Sequence, residues 1–283
     1  MPELPEVEII KNNLSDNLLE NTFLSVEIYS EKLRYKIPYN LAESIKNVKV
    51  LKVDRIAKYI FVYLNNNKIL IIHLGMTGNF LVNHINDEIT PIKHTHIKFI
   101  MSNSKVIRYI DIRRFGFIKI YDLKEKEFDI FKNKLGVDAI SNNFNSKNLI
   151  NHIKNKKINI KSALLDQKIV GGIGNIYASE ALFKAGISPL DCSKDVAKNI
   201  KKINNLIKAI KFILRDAIKV GGSTIKNHKN MNGESGYFQY KFNVYNREDL
   251  KCNNIKCESS IKKIRQSGRS TFYCENCQEK ENG

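Results

Sequence analysis

The sequence predicts an α+β protein of several domains, and three observations lead to this prediction. An amphipathic helix over about residues 5–19 is followed by many short strands with tight turns, which is typical of an antiparallel β-sandwich. From about residue 125 the apolar residues recur at helical spacing instead. Near the C-terminus, four cysteines stand in two close pairs. We therefore expect a leading helix with a β-sandwich, then a helical region, then a small cysteine-rich module.

The elements follow from the periodicity of each segment. The leading helix places apolar residues near one face, and Gly221-Gly222 ends a long amphipathic helix over residues 199–220. Asparagine-rich and serine-rich turns separate paired strands, and the Asn-, Gly- and Ser-rich residues 226–236 indicate a mobile loop. The predicted strands cover residues 23–29, 48–53, 59–64, 68–74, 96–101, 105–111 and 115–121.

The cysteines Cys252, Cys257, Cys274 and Cys277 have the pattern C-x4-C, sixteen residues, C-x2-C. Two close pairs with a hairpin-sized spacer predict one tetrahedral Zn²⁺ held by four thiolates. Two disulfides are the alternative, but no secretory signal is visible at the N-terminus to indicate an oxidising compartment. No apolar run reaches membrane-spanning length, so we expect a cytoplasmic protein, and Cys192 is interpreted as a buried or incidental thiol.

The charge balance indicates the class of partner. The chain has 47 Lys and Arg against 29 Asp and Glu, a formal net charge of +18. A surplus of this size favours a polyanionic partner, most often nucleic acid. The alternative is a bias in composition, since the chain is also rich in Asn and Ile.

The first eight residues, Met-Pro-Glu-Leu-Pro-Glu-Val-Glu, suggest covalent chemistry. Once Met1 is removed, Pro2 has a secondary amine, and an α-amino group has a pKa of about 7.7–8.0. Such an amine attacks a carbonyl carbon and forms an iminium that keeps its charge and acts as an electron sink. Glu3 could shuttle protons beside it. The alternative is that Pro5 and Glu6 are ordinary residues of a helix start.

A second segment, Val-Gly-Gly-Ile-Gly-Asn-Ile-Tyr at residues 170–177, is rich in glycine. It has no P-loop Lys-Ser/Thr, and no strand is predicted before it. The glycines allow a close backbone approach and a phosphate at a helix N-terminus, with Asn175 as a further donor. A tight connection between two helices is an equally good interpretation.

Taken together, these segments resemble the formamidopyrimidine-DNA glycosylase family, bifunctional repair enzymes that excise oxidised purines. The resemblance runs from residue 1 to residue 278, and seven motifs carry it. They are Met1-Pro-Glu-Leu-Pro-Glu-Val-Glu8, Arg55-Ile-Ala-Lys-Tyr59, His73-Leu-Gly-Met-Thr-Gly78, Asp111-Ile-Arg-Arg-Phe-Gly116, Gly174-Asn-Ile-Tyr-Ala-Ser-Glu180, Gly236-Tyr-Phe238 and Gly268-Arg-Ser-Thr-Phe-Tyr-Cys274.

The resemblance implies a domain division and a partner. It implies an N-terminal catalytic β-sandwich over residues 1–133 and a helix–two-turn–helix domain with a base-capping loop over residues 134–249. A zinc-finger hairpin over residues 250–283 follows. The implied partner is duplex DNA with oxidised bases, bound by a monomer that has no membrane association and a structural zinc ion.

The resemblance also implies catalytic roles. Pro2 attacks C1′ of the damaged nucleoside, Glu3 protonates the ribose oxygen and Glu6 supports the site. The iminium makes the C2′ proton acidic, and β- and δ-elimination then break the strand. Lys58 is implied as the acid in β-elimination and Arg269 as the acid in δ-elimination, although either could be a plain phosphate clamp.

The remaining implied residues contact DNA. Met76, Arg113 and Phe115 fill the space left by the extruded nucleotide, and Arg113 faces the orphaned cytosine. Backbone contacts are implied for His73, His94, Lys157, Asn175 and Arg269. Taken singly, a Met, Phe or His at such a position is more often structural.

This chain departs from the family pattern at three places. The first zinc knuckle, meaning the close cysteine pair with the residues between, is C-x4-C where C-x2-C is usual. Asn246 replaces a glycine, and Ser235 stands in the base-capping loop where a proline is usual. Two alternatives stay open: an endonuclease VIII-like glycosylase for oxidised pyrimidines, and a non-catalytic zinc-containing protein that binds damaged DNA.

Overall fold

The structure, a computed structural model, describes residues 1–87, 92–223 and 236–279. The chain forms two compact units. The first is Met1–Asn133 with the described residues of Gly221–Gly236, and the second is Lys134–Val220 with the described residues of Tyr237–Gly283. Among the described residues, no helix is both long enough and apolar enough to cross a membrane. The loop predicted at residues 226–236 lies outside the described residues, apart from Gly236.

The first unit begins with helix α1, Leu4–Leu18, one residue earlier at each end than the sequence predicts. Glu3 is its N-cap, and Glu6 returns a carboxylate oxygen to the Glu3 amide at 2.9 Å in a capping box. Pro5 lies in the first turn, where its missing N–H costs nothing. The apolar face, which includes Val7, Ile10, Leu14 and Leu18, is buried in the core of this unit.

Eight strands among the described residues of the first unit form one antiparallel sheet. The strands are β1 Thr22–Ile28, β2 Val48–Ile56, β3 Tyr59–Leu64, β4 Lys68–His73, β5 Gly78–His84, β6 Thr95–Met101, β7 Lys105–Asp111 and β8 Phe117–Asp122. Their order in the sheet is β5-β7-β6-β1-β2-β3-β4-β8. Helix α2, Leu41–Ile45, lies between the first two strands in the chain, a short 3₁₀ helix, Ile85–Asp87, follows β5, and helix α3, Lys126–Asn133, follows β8.

The sheet consists of two four-stranded halves, because β1 and β2 pair through only two residue pairs, Thr22 with Lys49 and Phe23 with Val48. Buried residues of both halves, such as Phe99 and Ile72, belong to one hydrophobic cluster with α1. This arrangement confirms the predicted N-terminal β-sandwich with a leading helix.

Two details of the strand prediction are wrong. Strand β5 was not predicted, because Gly78 and Asn79 have turn chemistry; here the strand pairs with β7 along its whole length. Strand β8 begins at Phe117 rather than at residue 115, so Phe115 stands in the loop before it.

The second unit is helical, as predicted. Val170–Gly171 (β10) pairs in parallel with Val137–Asp138 (β9), so the glycine-rich segment itself begins with a short strand. The helices are α4 Ser146–Ile153, α5 Ile160–Leu165, α6 Asn175–Ala185, α7 Ser193–Lys198 and α8 Ile200–Lys219, with a 3₁₀ helix at Phe238–Lys241. The longest of these is α8, whose N-cap Asn199 accepts the amide of Lys202 at 3.1 Å.

A hairpin of β11, Lys262–Gln266, and β12, Arg269–Tyr273, lies between the two cysteine pairs. Ser267 and Gly268 form the two-residue turn, and both have positive φ, 48° and 78°. Arg269 is the first residue of β12 and pairs with Gln266.

Glu180 on α6 holds residues 243–245, which follow α8, in place within the second unit. Its side chain is 1% exposed. One carboxylate oxygen accepts the amides of Val244 and Tyr245 at 2.9 and 2.8 Å, and the other accepts the Asn243 amide at 2.9 Å. Glu180 therefore ties α6 to the segment that leads into the zinc module.

We expect Glu180→Ala to lower the free energy of unfolding of the second unit by about 3 kcal/mol, because three backbone donors lose a charged acceptor. Chemical denaturation followed by circular dichroism measures the change. Glu258→Ala is the control, since Glu258 is an exposed carboxylate paired with Lys251, and its effect should stay within about 0.5 kcal/mol. Equal effects of the two substitutions would show that Glu180 is not an anchor.

Candidate functional site

The N-terminal residues lie in a buried, charged environment within the first unit. Met1 is 47% exposed, whereas Pro2 is buried and Glu3 is 3% exposed. Burial lowers the pKa of the Met1 amino group. The carboxylates of Glu3 and Glu6 oppose this shift, and the cations of Lys58 and Arg113 add to it. These four charged side chains therefore surround the start of the chain closely enough to act on it.

Glu6 links the helix start to a distant segment of the same unit. One carboxylate oxygen accepts the Glu3 amide, and the other accepts both the amide and the hydroxyl of Ser223, at 2.9 and 3.0 Å. Glu6 and Ser223 are 8% and 4% exposed, so water competes little for these bonds. Ser223 therefore holds the Glu6 carboxylate in place, and that carboxylate in turn holds the Glu3 backbone.

Lys58 is placed by a tight turn between β2 and β3. Ala57 has a φ of +56°, and the Arg55 guanidinium donates to the Ala57 carbonyl at 2.8 Å. Arg55 also forms an ion pair with Glu8 of α1. Lys58 itself is 4% exposed, and burial to this degree is unusual for a lysine.

Two neighbouring loops carry the predicted space-filling residues. Met76 stands half-buried between β4 and β5, while Arg113 and Phe115 stand exposed between β7 and β8. The Arg113 guanidinium carbon lies 4.7 Å from the centre of the Phe115 ring, in a cation–π contact. The two exposed side chains therefore contact each other in this loop.

Asp111 holds the two loops together. It is fully buried, and its carboxylate accepts the Gly116 amide at 2.7 Å, the Arg113 amide at 3.3 Å and the hydroxyl of Thr77. The backbones also touch, since a Cβ added to Gly75 would lie 2.3 Å from the Gly116 nitrogen. The loops of Met76 and Phe115 therefore form one rigid body.

His73 and His94 flank this body. Burial, with the nearby Lys58 and Arg34 cations, lowers the pKa of His73 to about 4. Its Nδ1 accepts the Gly75 amide at 3.0 Å, so the neutral ring carries its proton on Nε2. His94 is exposed, and its carbonyl accepts the Asp111 amide at 3.2 Å.

The second unit contains the other predicted contact residues. The Ser270 carbonyl is bound by the Asn175 side-chain amide at 2.9 Å and by the Lys161 ammonium at 3.0 Å. Lys161 is 1% exposed and also donates to the Thr271 hydroxyl at 2.7 Å. These bonds anchor β12 next to the exposed Arg269, whereas Lys157 is exposed in the loop before α5.

The four cysteines converge as predicted, with all four sulfur atoms within 4.8 Å of one another. The Cys252–Cys277 and Cys257–Cys274 sulfur atoms are 3.8 and 3.5 Å apart. A tetrahedron with Zn–S bonds of about 2.3 Å has edges of about 3.8 Å, so the cluster fits one zinc ion. This finding confirms the predicted zinc site.

The surroundings of two of the thiols shift their pKa values in opposite directions. A hydrogen bond from the Asn276 side chain lowers the pKa of Cys257 to about 6, while burial raises the pKa of Cys274 to about 12. A bound dication would hold all four as thiolates.

Several residues that organise these groups carried no role in the sequence prediction. Asp111 and Glu180 stand inside two of the motifs that carry the family resemblance, so the sequence marked both positions. It did not indicate which backbone amides their carboxylates bind. Thr77 also stands inside such a motif, whereas Lys161 and Ser223 gave no signal, because both act through contacts with residues distant in the chain.

Three family models match the chain. They are the formamidopyrimidine-DNA glycosylase N-terminal domain over residues 1–118, the formamidopyrimidine-DNA glycosylase H2TH domain over residues 135–229, and the zinc finger found in FPG and IleRS over residues 249–280. Together they cover most of the sequence.

Relatives agree with these models. A formamidopyrimidine-DNA glycosylase of Rickettsia bellii is 43% identical over 98% of this chain and 99% of its own. A mutant of Lactococcus lactis FPG, crystallised with Fapy-dG containing DNA, is 28% identical with a TM-score of 0.88, over 98% and 100% of the two chains. The wild-type protein, crystallised with oxidized pyrimidine containing DNA, has a TM-score of 0.87 at 28% identity and the same coverage.

We expect Asp111→Ala to destabilise the first unit by about 3 kcal/mol, because the buried Gly116 amide and the buried Thr77 hydroxyl lose their charged acceptor. Denaturant unfolding measures the loss, and hydrogen exchange should show the Gly116 amide unprotected. The control is Asp122→Ala, since Asp122 accepts the Lys124 amide in an exposed turn. If Gly116 stays protected in Asp111→Ala, Asp111 does not hold the loops.

Proposed function

The chain belongs to the formamidopyrimidine-DNA glycosylase family, and from that premise we propose that it removes oxidised purines from duplex DNA and nicks the strand. The observation that carries the proposal is the charged, buried environment of the N-terminus, formed by Glu3, Glu6, Lys58 and Arg113. Burial lowers the pKa of the Met1 amino group, and we expect it to act in the same way on the Pro2 amine once Met1 is removed. A neutral amine is a nucleophile. This activity would place the protein in base-excision repair.

The glycosylase step uses Pro2 and Glu3. After removal of Met1, the Pro2 nitrogen forms a bond to C1′ and the glycosidic bond breaks. The damaged base leaves with its electron pair and takes up the proton that the Pro2 nitrogen loses. Glu3 protonates the ribose oxygen as the ring opens, and an iminium between Pro2 and C1′ remains. Glu6 fixes the Glu3 backbone during these steps through the bond at 2.9 Å.

The strand is then broken by elimination. The iminium withdraws electrons, so the C2′ proton is lost and the 3′-phosphate leaves, which is β-elimination. A second elimination releases the 5′-phosphate. We assign Lys58 as a proton donor and phosphate contact in the first step, and Arg269 as the corresponding donor in the second.

Access to a base inside a duplex requires that the nucleotide be extruded. We assign Met76 and Phe115 as apolar wedges and Arg113 as the group that faces the orphaned cytosine. The hydrogen bonds from Asp111 to this loop support the assignment, because a side chain that unstacks bases needs a backbone that is held in place.

Other residues are assigned to the DNA backbone. Neutral His73 can donate from Nε2, and Lys157 and Arg269 offer exposed cations. His94 and Asn175 complete the set, and Asn175 opens α6, where helix N–H groups favour a phosphate.

We further assign three functional parts to the chain: catalysis to residues 1–133, DNA binding to residues 134–249 and the zinc finger to residues 250–283. Cys252, Cys257, Cys274 and Cys277 would hold the ion, which supplies a structural staple for a segment with little core of its own.

A second candidate function is excision of oxidised pyrimidines. It is favoured by the wild-type Lactococcus lactis FPG, which was crystallised with oxidized pyrimidine containing DNA. Duplexes with one 8-oxoguanine opposite cytosine or adenine, and with one oxidised pyrimidine, separate the two candidates when scission is measured on a gel. Binding of all three without scission would instead indicate a non-catalytic damage-binding protein.

We expect borohydride to trap a covalent protein–DNA adduct, because reduction of the iminium makes it irreversible. Mass spectrometry of a digest should place the adduct on a peptide that begins at Pro2. A chain with an N-terminal extension that retains Met1 is the control; its Pro2 nitrogen is an amide and should give no adduct. An adduct on Lys58 with Pro2 free would refute the assignment of the nucleophile.

We expect Arg113→Ala to lose the preference for cytosine opposite the lesion, because alanine offers no donors to the orphaned base. Paired arginine donors are worth about 1–3 kcal/mol of discrimination, or roughly 5- to 150-fold in rate. The measurement compares excision opposite cytosine and adenine. Arg114→Ala, a change of the neighbouring exposed arginine, is the control and should keep the preference. An unchanged preference in Arg113→Ala would assign Arg113 a structural role.

A further inference from the structure

We propose that Asn254 and Asn276 form a reciprocal amide brace that holds the zinc–thiolate cluster closed. Each asparagine belongs to one cysteine pair and donates to a sulfur atom of the other pair. The two residues act as positioning residues for the zinc ligands. One of them, Asn254, belongs to the long first knuckle. The inference concerns retention of the metal and does not depend on the substrate of the enzyme.

The brace is visible in two hydrogen bonds. Asn254 Nδ2, between Cys252 and Cys257, lies 3.4 Å from the sulfur of Cys277. Asn276 Nδ2, between Cys274 and Cys277, lies 3.3 Å from the sulfur of Cys257. The two bonds run in opposite directions across the cluster, so the pairs cannot separate without breaking both.

The long knuckle places Asn254 for this role. Its amide lies 3.5 Å from the Cys252 sulfur, and its carbonyl accepts the Cys257 amide at 2.9 Å. Its side-chain oxygen accepts the Lys256 amide at 3.3 Å, which closes an Asx turn. Within the knuckle, Ile255 is 96% exposed, whereas the Asn254 side-chain amide donates to the Cys277 sulfur.

The charge of the loaded cluster explains why donors matter. One Zn²⁺ with four thiolates carries a net charge of −2, which backbone and side-chain N–H groups offset. Because the first knuckle is longer than usual, it closes a larger and less constrained loop around the metal. The Asn254 side chain restores a link between the two pairs that spacing alone does not provide.

The test uses substitutions that remove the donor and keep the shape. Asn254→Asp retains the oxygen that accepts the Lys256 amide, but it places an anionic oxygen at the Cys277 sulfur. Asn276→Asp does the same at Cys257. Losses of groups around metal ligands cost about 10- to 100-fold in metal affinity. We expect zinc release from the full-length holoprotein to an excess of chelator to be at least about tenfold faster in each variant.

Asn253→Asp is the matched control. It adds the same charge one residue away, where the side chain lies 3.4 Å from the Phe242 carbonyl and donates to no sulfur atom among the described residues. Its zinc release should stay within about twofold of the wild-type rate. Alkylation with iodoacetamide is a second measurement, since thiolates that lose a donor are more nucleophilic and should react faster.

The outcomes are distinct. Faster release from Asn254→Asp and Asn276→Asp than from Asn253→Asp supports the brace, as does purification of the first two without zinc. Equal release and equal alkylation in all three variants overturn it, since a purely structural Asx turn at Asn254 survives the change to Asp. A wild-type protein that contains no zinc overturns both the brace and the metal assignment, even where strand scission is intact.

Discussion

Buried carboxylates that accept backbone amides hold the irregular parts of this structure in place. Glu6 binds the amides of Glu3 and Ser223, Asp111 binds those of Arg113 and Gly116, and Glu180 binds those of residues 243–245. Each carboxylate replaces the regular hydrogen-bond partners that a loop lacks. Because hydrogen bonds to a charged acceptor in a dry site are strong, one side chain can fix several residues of a loop at once.

The regular elements and the candidate functional groups are therefore stabilised by different interactions. The sheet and α8 are stabilised by ordinary burial of Val, Ile, Leu and Phe side chains, whereas the candidate functional groups stand on turns beside them. Lys58 follows a left-handed Ala57, Phe115 precedes β8, and Arg269 follows the turn at Gly268. These turns leave Phe115 and Arg269 exposed, whereas Lys58 is buried. The Asp111 carboxylate and the Lys161 ammonium fix the backbone beside the two exposed residues.

The sequence predicted the framework well, because periodicity and cysteine spacing are local signals. The leading helix, most strands and the zinc cluster were predictable in this way. Strand β5 was not, since Gly78 and Asn79 have turn chemistry and become a strand only by pairing with β7. The links from Glu6 to Ser223 and from Lys161 to Ser270 span 217 and 109 residues. No spacing rule reaches that far, so the anchors of the site appear only in the structure.

Some of the positively charged residues also act on the amine at the N-terminus. Burial is the largest cause that lowers the pKa of the Met1 amino group, and the cations of Lys58 and Arg113 add to this shift. Glu3 and Glu6 oppose this effect, and a site with carboxylates alone would hold the amine as an ammonium ion that cannot attack carbon. In the proposed mechanism, Lys58 and Arg113 contact DNA and also lower the pKa of the N-terminal amine, which links the composition of the chain to the proposed chemistry.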